Sequence, residues 1–315
     1  MSTNNLLSSL ALVLLLLPLK VSLAVDKVSS GSLDTIDNFN SKFIKDRRVQ
    51  VWKPDGYNTS TKYAVLYMHD GQMLFDAANT WNKQEWGVDE TASQLIADGT
   101  TRPFIVVAID NGDKLRHSEY FPQAPFESLT DADKQRIYQA ARDNGTQVFS
   151  QAVISDKYLK FLVYELKPYI DKNYSVATDR ANTFIMGSSM GGLISAYALM
   201  EYPSIFGGAA CLSTHWPGIF SMENNPIPLA FYQYLDGHLP KPESHKLYFD
   251  HGDQTLDAMY PQLQQEVDKI MAKHGYSEDN WMTRTYPGKN HSENAWRERL
   301  DVPLIFLLAT SNTDN

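Results

Sequence analysis

The sequence predicts an α/β fold: a central, mostly parallel sheet with helices on both faces. Three observations lead there. Short β-rich runs alternate with helical patterns along most of the chain, two of those runs are almost wholly apolar, and one of them passes through a glycine-rich turn straight into a helical pattern. Alternation is what βαβ units produce, and unbroken apolar runs are what strands covered on both faces look like. A chain of 315 residues with 43% hydrophobic and 21% charged residues can bury a large core, which excludes disordered and fibrous classes.

In chain order, the segment Met1–Ala24 comes first. Residues 9–19 (SLALVLLLLPL) have the length of a signal-peptide core and fall short of the roughly 20 residues a spanning helix needs. Lys20 ends the run, and Ser22-Leu23-Ala24 offers small residues for cleavage. The segment reads as a cleaved export signal, so the mature protein is expected to be secreted or periplasmic, with no stable membrane insertion. The alternative is an uncleaved anchor, because Met1–Asn5 contains no Lys or Arg. Residues 25–315 are expected to form one catalytic domain.

Strands follow at Arg48–Trp52, Tyr63–Met68, Phe104–Ile109, Asn182–Met186, Gly208–Leu212, Lys246–Asp250 and Trp281–Tyr286. Leu159, Leu162, Leu166 and Ile170 fall at helical spacing, with Pro168 expected to kink or restart the helix. Glu266–His274 suits a helix ended by Gly275. Residues 111–151 and 213–244 break the alternation. Both are rich in Pro, Asn, Asp and aromatic residues and both follow strands, where α/β folds place binding loops, so both are expected to be cap-like walls of a site.

The chemistry is carried by Gly187-Ser188-Ser189-Met190-Gly191-Gly192, which lies between the strand Asn182–Met186 and the helical pattern LISAYALMEYP. This is G-x-S-x-G in the strand, sharp turn, helix context it requires. The turn lifts the Ser189 hydroxyl out of the sheet, and the helix that begins there aims N–H groups at a developing oxyanion, Met190 N–H first. A serine nucleophile needs a base, and in this order of elements the histidine comes last. His291 lies in a turn-rich loop after the last strand. His117, His238, His245 and His274 sit in loops or at a helix end and read as solvated. His215, in Ser213-Thr214-His215-Trp216 just past a strand, reads with Trp216 as a substrate contact or as cap packing. The acid belongs after the next-to-last strand, in LYFDHGDQTLD. Asp257 is favoured because it lies at the start of the next helix, and Asp253 is the alternative. Gly71 permits a tight loop after the strand Tyr63–Met68, which makes Gln72 N–H the second oxyanion donor.

At these residues the sequence resembles the esterase branch of the α/β-hydrolase superfamily that includes esterase D, enterochelin esterases and carbohydrate esterase family 1. The resemblance is carried by YMHDGQMLFD, RHSEYFP (Arg116–Pro122), GSSMGG, YFDHGDQTLD and PGKNHSENAW, and spans about Arg48 to Leu308. It implies an α/β-hydrolase fold with cap insertions and a Ser-His-acid esterase without cofactor or metal. It leaves the ester open, since such enzymes cleave siderophore, feruloyl, acetyl, thioester and formyl esters, and some transfer the acyl group instead.

Other function classes recede. With 28 Lys+Arg against 37 Asp+Glu the formal charge is −9, so a nucleic acid backbone would meet net repulsion. The single cysteine, Cys211, makes no internal disulfide and excludes a zinc site of several cysteines. A metallohydrolase would have to use His69-Asp70 and His251-Gly252-Asp253, which leaves the serine turn unexplained. A non-catalytic binding protein would grip its ligand with Trp81, Trp86, Phe121, Trp216 and Phe220. The same aromatics suit a small-molecule or glycan-linked ester as substrate.

Overall fold

The computed structural model describes residues 26–142 and 144–310, so the export signal read at Met1–Ala24 lies outside the described residues. Eight strands build one sheet: β1 (Ser32–Phe39), β2 (Arg47–Lys53), β3 (Ala64–His69), β4 (Phe104–Ile109), β5 (Thr183–Ser188), β6 (Gly208–Leu212), β7 (Lys246–His251) and β8 (Trp281–Thr285). Their order is β1-β2-β4-β3-β5-β6-β7-β8. β1 pairs antiparallel with β2 and β2 with β4, while every other pairing is parallel. Seven strands stand where the β-rich runs predicted them. β1 is an addition: SLDTIDNF has no residue buried along its length, so it carried no apolar signal.

The period of two along the strands divides the core. Val65, Tyr67, Ile105, Val107 and Ile185 point to one face, where they meet Leu159, Leu162, Leu193 and Val267 from helices. Leu66, Met68, Val106, Ala108 and Met186 point to the other, under Val88, Ala92, Leu304 and Leu307. The helix carrying Leu159 to Ile170 is broken by a π-helical turn at Leu162–Leu166, and Pro168 sits in the first turn of the restarted segment Lys167–Asn173. The Lys167 N–H still donates to the Leu162 carbonyl across the π-helical turn, so the wider turn carries the chain past a residue that has no N–H of its own. The helix expected from Glu266 starts earlier, at Tyr260, runs to Lys273, and is followed by Gly275 at φ +81°. The stretches 111–151 and 213–244 are partly helical, with Arg116–Tyr120, Gln123–Glu127, Asp131–Tyr138 and Ile227–His238.

The strand order reverses between β3 and β5, since the chain builds outward from β3 to β4 and then returns past β3 to add β5, β6, β7 and β8. In open α/β sheets the loops at the carboxyl ends of strands flank a crevice at that reversal. The turns after β3 and β5 leave no room for side chains. A Cβ on Gly71 would lie 2.7 Å from the Ile109 backbone nitrogen, and one on Gly187 would lie 2.9 Å from the Gly191 carbonyl group. Gly187→Ala therefore should lower stability by about 1–3 kcal/mol through forced backbone movement. Gly237→Ala, on an exposed helical position with nothing within 4 Å, should instead raise it by about 0.5–1 kcal/mol. Paired urea denaturation measures both, and equal effects would contradict the packing described.

Candidate active site

Ser189 caps the helix Met190–Glu201 with φ 58° and ψ −120°, a conformation an L-residue adopts only when its surroundings impose it. Backbone hydrogen bonds do so. Ser189 N–H donates to the Leu212 carbonyl at 2.9 Å, and the Ser189 carbonyl accepts from Gly192 at 3.1 Å and from His215 at 3.2 Å. The serine lines a cleft of about 600 Å³ together with Met190, Gln72, His215 and His291. Met190 is the first residue of its helix, so its N–H has no intrahelical acceptor. Gln72 lies in the single tight turn Gly71–Met73, entered through Asp70 at φ 56°, and its side-chain oxygen accepts from Asn111 N–H at 3.2 Å.

His291 and Asp257 meet directly, Nδ1 to Oδ1 at 2.5 Å. A carboxylate can only accept, so Nδ1 carries the proton, which in the single-proton tautomer makes Nε2 the acceptor. The ring stands edge-on between Trp296 (5.0 Å between centroids) and Tyr260 (5.9 Å). His291 N–H also donates to Thr255 Oγ1 at 3.0 Å, which ties the two loops together. Asp257 is fully buried, and its second oxygen accepts from Gly252 N–H and from Ser213 Oγ, both at 2.7 Å. Burial alone would raise this carboxyl, but the hydrogen bonds from His291, Ser213 and Gly252 outweigh it and hold it below the usual range. Asp253 has a different job. Its Oδ1 accepts from Gly288 N–H at 2.8 Å and so clamps the loop that leads to His291.

Behind Asp257 lies a buried network that the sequence did not disclose. Ser213 Oγ receives Trp296 Nε1–H and an Arg299 N–H, both at 3.0 Å. Arg299 in turn pairs with Asp250 at 2.8 Å, with both side chains buried. Asp250 also accepts from Ser213 N–H and Tyr248 O–H, and burial pushes its carboxyl up despite the Arg299 charge. Asp70 is likewise engaged: Arg116 grips it side-on through Nε at 2.6 Å and Nη2 at 2.7 Å, and Asn111 donates at 2.6 Å. The signal available for these groups was a charged residue inside an otherwise apolar or motif-bearing stretch, as Asp250 is in LYFDHG.

The remaining candidates divide. His215 lines the cleft, with Nδ1 2.8 Å from the Tyr260 hydroxyl and Nε2 buried without a hydrogen-bond partner. Trp216 does not line it. At 1% exposure it packs on Phe249 and Phe231 and donates to Gln264, because its strand-end turn sends it under the sheet. Phe121 is core as well, whereas Trp81, Trp86 and Phe220 line the cleft. His117 and His245 are buried rather than solvated. His117 Nε2–H donates to the Gly218 carbonyl at 2.7 Å, and burial lowers the pKa of the ring to about 3. Burial also takes His215 well below the ordinary value, so both rings are neutral. The residues weighed as metal ligands have other partners: His69 Nδ1 meets the Tyr158 hydroxyl at 2.8 Å and His251 Nδ1 the Gly252 carbonyl at 2.6 Å. Among the described residues no group of three or more His, Cys, Asp or Glu could hold a metal ion.

A parallel sheet flanked on both faces, with a strained serine at the start of a helix and a buried His-Asp pair in the same cleft, is the α/β-hydrolase arrangement. Residues 41–307 match the protein family described as Putative esterase, and the chain belongs to that family. Among curated proteins, YbbA of Bacillus subtilis is 27% identical over 173 residues, covering 54% of this chain and 58% of that protein. An endo-1,4-beta-xylanase/feruloyl esterase of Xylanibacter ruminicola is 26% identical over 200 residues, covering 59% of this chain and 22% of that protein. The chain thus spans less than two thirds of either relative. Among solved structures, a ferulic acid esterase superposes with TM-score 0.62 at 20% identity, covering 88% of this chain and 98% of its own. The enterobactin esterase of Shigella flexneri gives 0.64 at 16% identity, covering 90% and 60%, and a CE1 ferulic acid esterase of Anaeromyces mucronatus gives 0.57 at 18%, covering 93% and 96%. At these identities the likeness extends to the fold.

The Asp250–Arg299 pair gives a stability prediction. Arg299→Met leaves Asp250 buried without its countercharge and should cost about 3–5 kcal/mol in urea denaturation at neutral pH. A loss under 1 kcal/mol would mean that the pair is not buried as described.

Proposed function

We propose that this chain is an exported serine esterase that hydrolyses carboxylic esters through an acyl-enzyme. The observation that carries the reading is a single cleft lined by a serine held at positive φ and by a histidine whose Nδ1–H is bonded to a buried carboxylate. His291 Nε2 takes the Ser189 proton as Oγ attacks the ester carbonyl, and Asp257 holds the imidazole in the tautomer that can accept it. Met190 and Gln72 N–H groups stabilise the oxyanion. His291 then gives the proton to the leaving alkoxide, and water activated by the same nitrogen releases the acid.

His215, which lines the same cleft and whose Nε2 has no hydrogen-bond partner among the described residues, offers a neutral polar contact to the substrate. In this reading residues 111–151 and 213–244 are the cap-like walls of one catalytic domain, residues 25–315, with Met1–Ala24 as its export signal. The function needs no cofactor, metal or nucleic acid. Among the described residues no helix is long and apolar enough to cross a membrane. The relatives named as feruloyl or ferulic acid esterases make aromatic acyl esters, free or sugar-linked, the class to assay first. Trp81, 83% exposed at the rim of the cleft, supports that choice because a flat ring or a sugar face stacks on an indole.

Kinetics on p-nitrophenyl acetate and methyl ferulate test the proposal. Ser189→Ala should lower kcat by about 10⁶ if the serine is the nucleophile. Asp257→Asn should lower it by about 10⁴, as loss of the orienting carboxylate does. Asp253→Asn should change kcat by less than about threefold, since loop clamping lies outside the chemistry. Full turnover by Ser189→Ala would overturn the mechanism, and a larger loss from Asp253→Asn than from Asp257→Asn would reassign the acid.

A further inference from the structure

Beside the cleft lies a second cavity, of about 370 Å³, and Arg116, His117 and Arg142 line both. Lys114 joins the two arginines in facing the second cavity, against one acidic residue, Asp113. Arg116 spends Nε and Nη2 on Asp70, which leaves Nη1 without a hydrogen bond among the described residues. Arg142 lies with its guanidinium carbon 4.5 Å from the centroid of the Phe220 ring. A guanidinium stacked in this way keeps its in-plane N–H groups free to donate at the ring's edge. Asp70 is set against Arg116, with Glu293 a further acid on the cleft side, and among the described residues Arg142 has no ion pair. Burial and the neighbouring Arg116 charge pull Arg142 below its ordinary pKa. The concentration of positive charge is local, because the whole chain carries −9.

We propose that this second cavity is a subsite for a carboxylate carried by the substrate itself, so that the protein selects esters bearing an ionised acid several atoms from the scissile carbonyl. The carboxylate would lie between Arg142 and Arg116 Nη1, with Lys114 adding charge from the far side. Arginine suits the task because its planar fork matches the two oxygens of a carboxylate. The inference rests on the ester-hydrolase reading of the adjoining cleft for what the ligand is, though not for whether it binds.

Binding is therefore measured apart from turnover. The Ser189→Ala protein is titrated calorimetrically at low salt with the monomethyl half-esters of adipic, pimelic and suberic acids and with the corresponding dimethyl esters. At least one half-ester should bind about tenfold more tightly than its neutral diester, and the gap should narrow at high salt, as expected for a charge contact partly open to solvent. Arg142→Gln combined with Lys114→Gln should bring the ratio of the two affinities to near one. The parent protein's half-ester to diester ratio and its salt dependence decide the matter even if that variant fails to fold. Equal binding, no binding of any half-ester, or a ratio that survives the double substitution would overturn the proposal. So would inorganic phosphate that binds in an Arg142-dependent way without displacing the half-ester, which would make the cavity a site for a free anion. A half-ester preference in a wild-type protein that turns over no ester would sink the esterase reading and leave the subsite standing. Turnover of neutral esters without the preference would do the reverse.

Discussion

The backbone conformation of Ser189 is the constraint on which the rest of the site depends. A non-glycine residue at φ 58° and ψ −120° costs of the order of 1–3 kcal/mol and persists only where neighbours over-determine it. Here the neighbours are β6, whose Leu212 carbonyl takes the Ser189 N–H, and the crossing of Gly187 and Gly191, which pass too closely for a Cβ. The sharp turn makes one residue serve two purposes. It directs a hydroxyl into the cleft and starts a helix whose first N–H groups lack acceptors, so in the proposed mechanism nucleophile and anion-stabilising donors arise from the same bend.

The His-Asp pair depends on a different physical resource, a chain of buried charge. Asp257 stays ionised in a fully buried position because three donors converge on it, and one of these, Ser213 Oγ, is itself fixed by Trp296 and Arg299. Arg299 is held there by Asp250 at the end of β7. An uncompensated charge in such surroundings would neutralise or unfold its region, whereas charges paired in this way hold one another in place, Arg299 Nη1 being the one buried donor of the set without a hydrogen-bond partner among the described residues. That mutual hold orients the imaginary line from Asp257 through His291 toward the cleft. Asp70 and Arg116 repeat the device across the cleft, where they brace the turn that presents Gln72.

What could be read from the sequence follows from which interactions are local. Buried parallel strands announce themselves as apolar runs, as β3 and β4 do, while antiparallel β2 and the half-exposed edge strand β8 were legible only as short β-rich stretches, and G-x-S-x-G between a strand and a helix located the elbow at Ser189. β1 was not legible, because an antiparallel edge strand with little burial needs no apolar pattern. The choice between Asp253 and Asp257 could not be made from spacing: both follow Gly252, and only the fold of the Thr255–Met259 turn decides which carboxyl reaches His291. Trp216 misled for a related reason. One residue separates a side chain that faces the cleft, His215, from one that faces the core, and the turn after Leu212, with Ser213 at φ 41°, sets which is which. The ion pairs Asp250–Arg299 and Asp70–Arg116 join residues 49 and 46 positions apart, beyond any local pattern.

The most direct test of the central claim, that one strained serine is nucleophile beside two waiting amides, is a crystal structure of the protein after reaction with a small alkyl fluorophosphonate. The account predicts phosphorus bonded to Ser189 Oγ, its phosphoryl oxygen within hydrogen-bond reach of Met190 N–H and Gln72 N–H, and His291 Nε2 facing the former leaving-group position. A phosphonyl group on another residue, or one on Ser189 whose oxygen turns away from both amides, would contradict it.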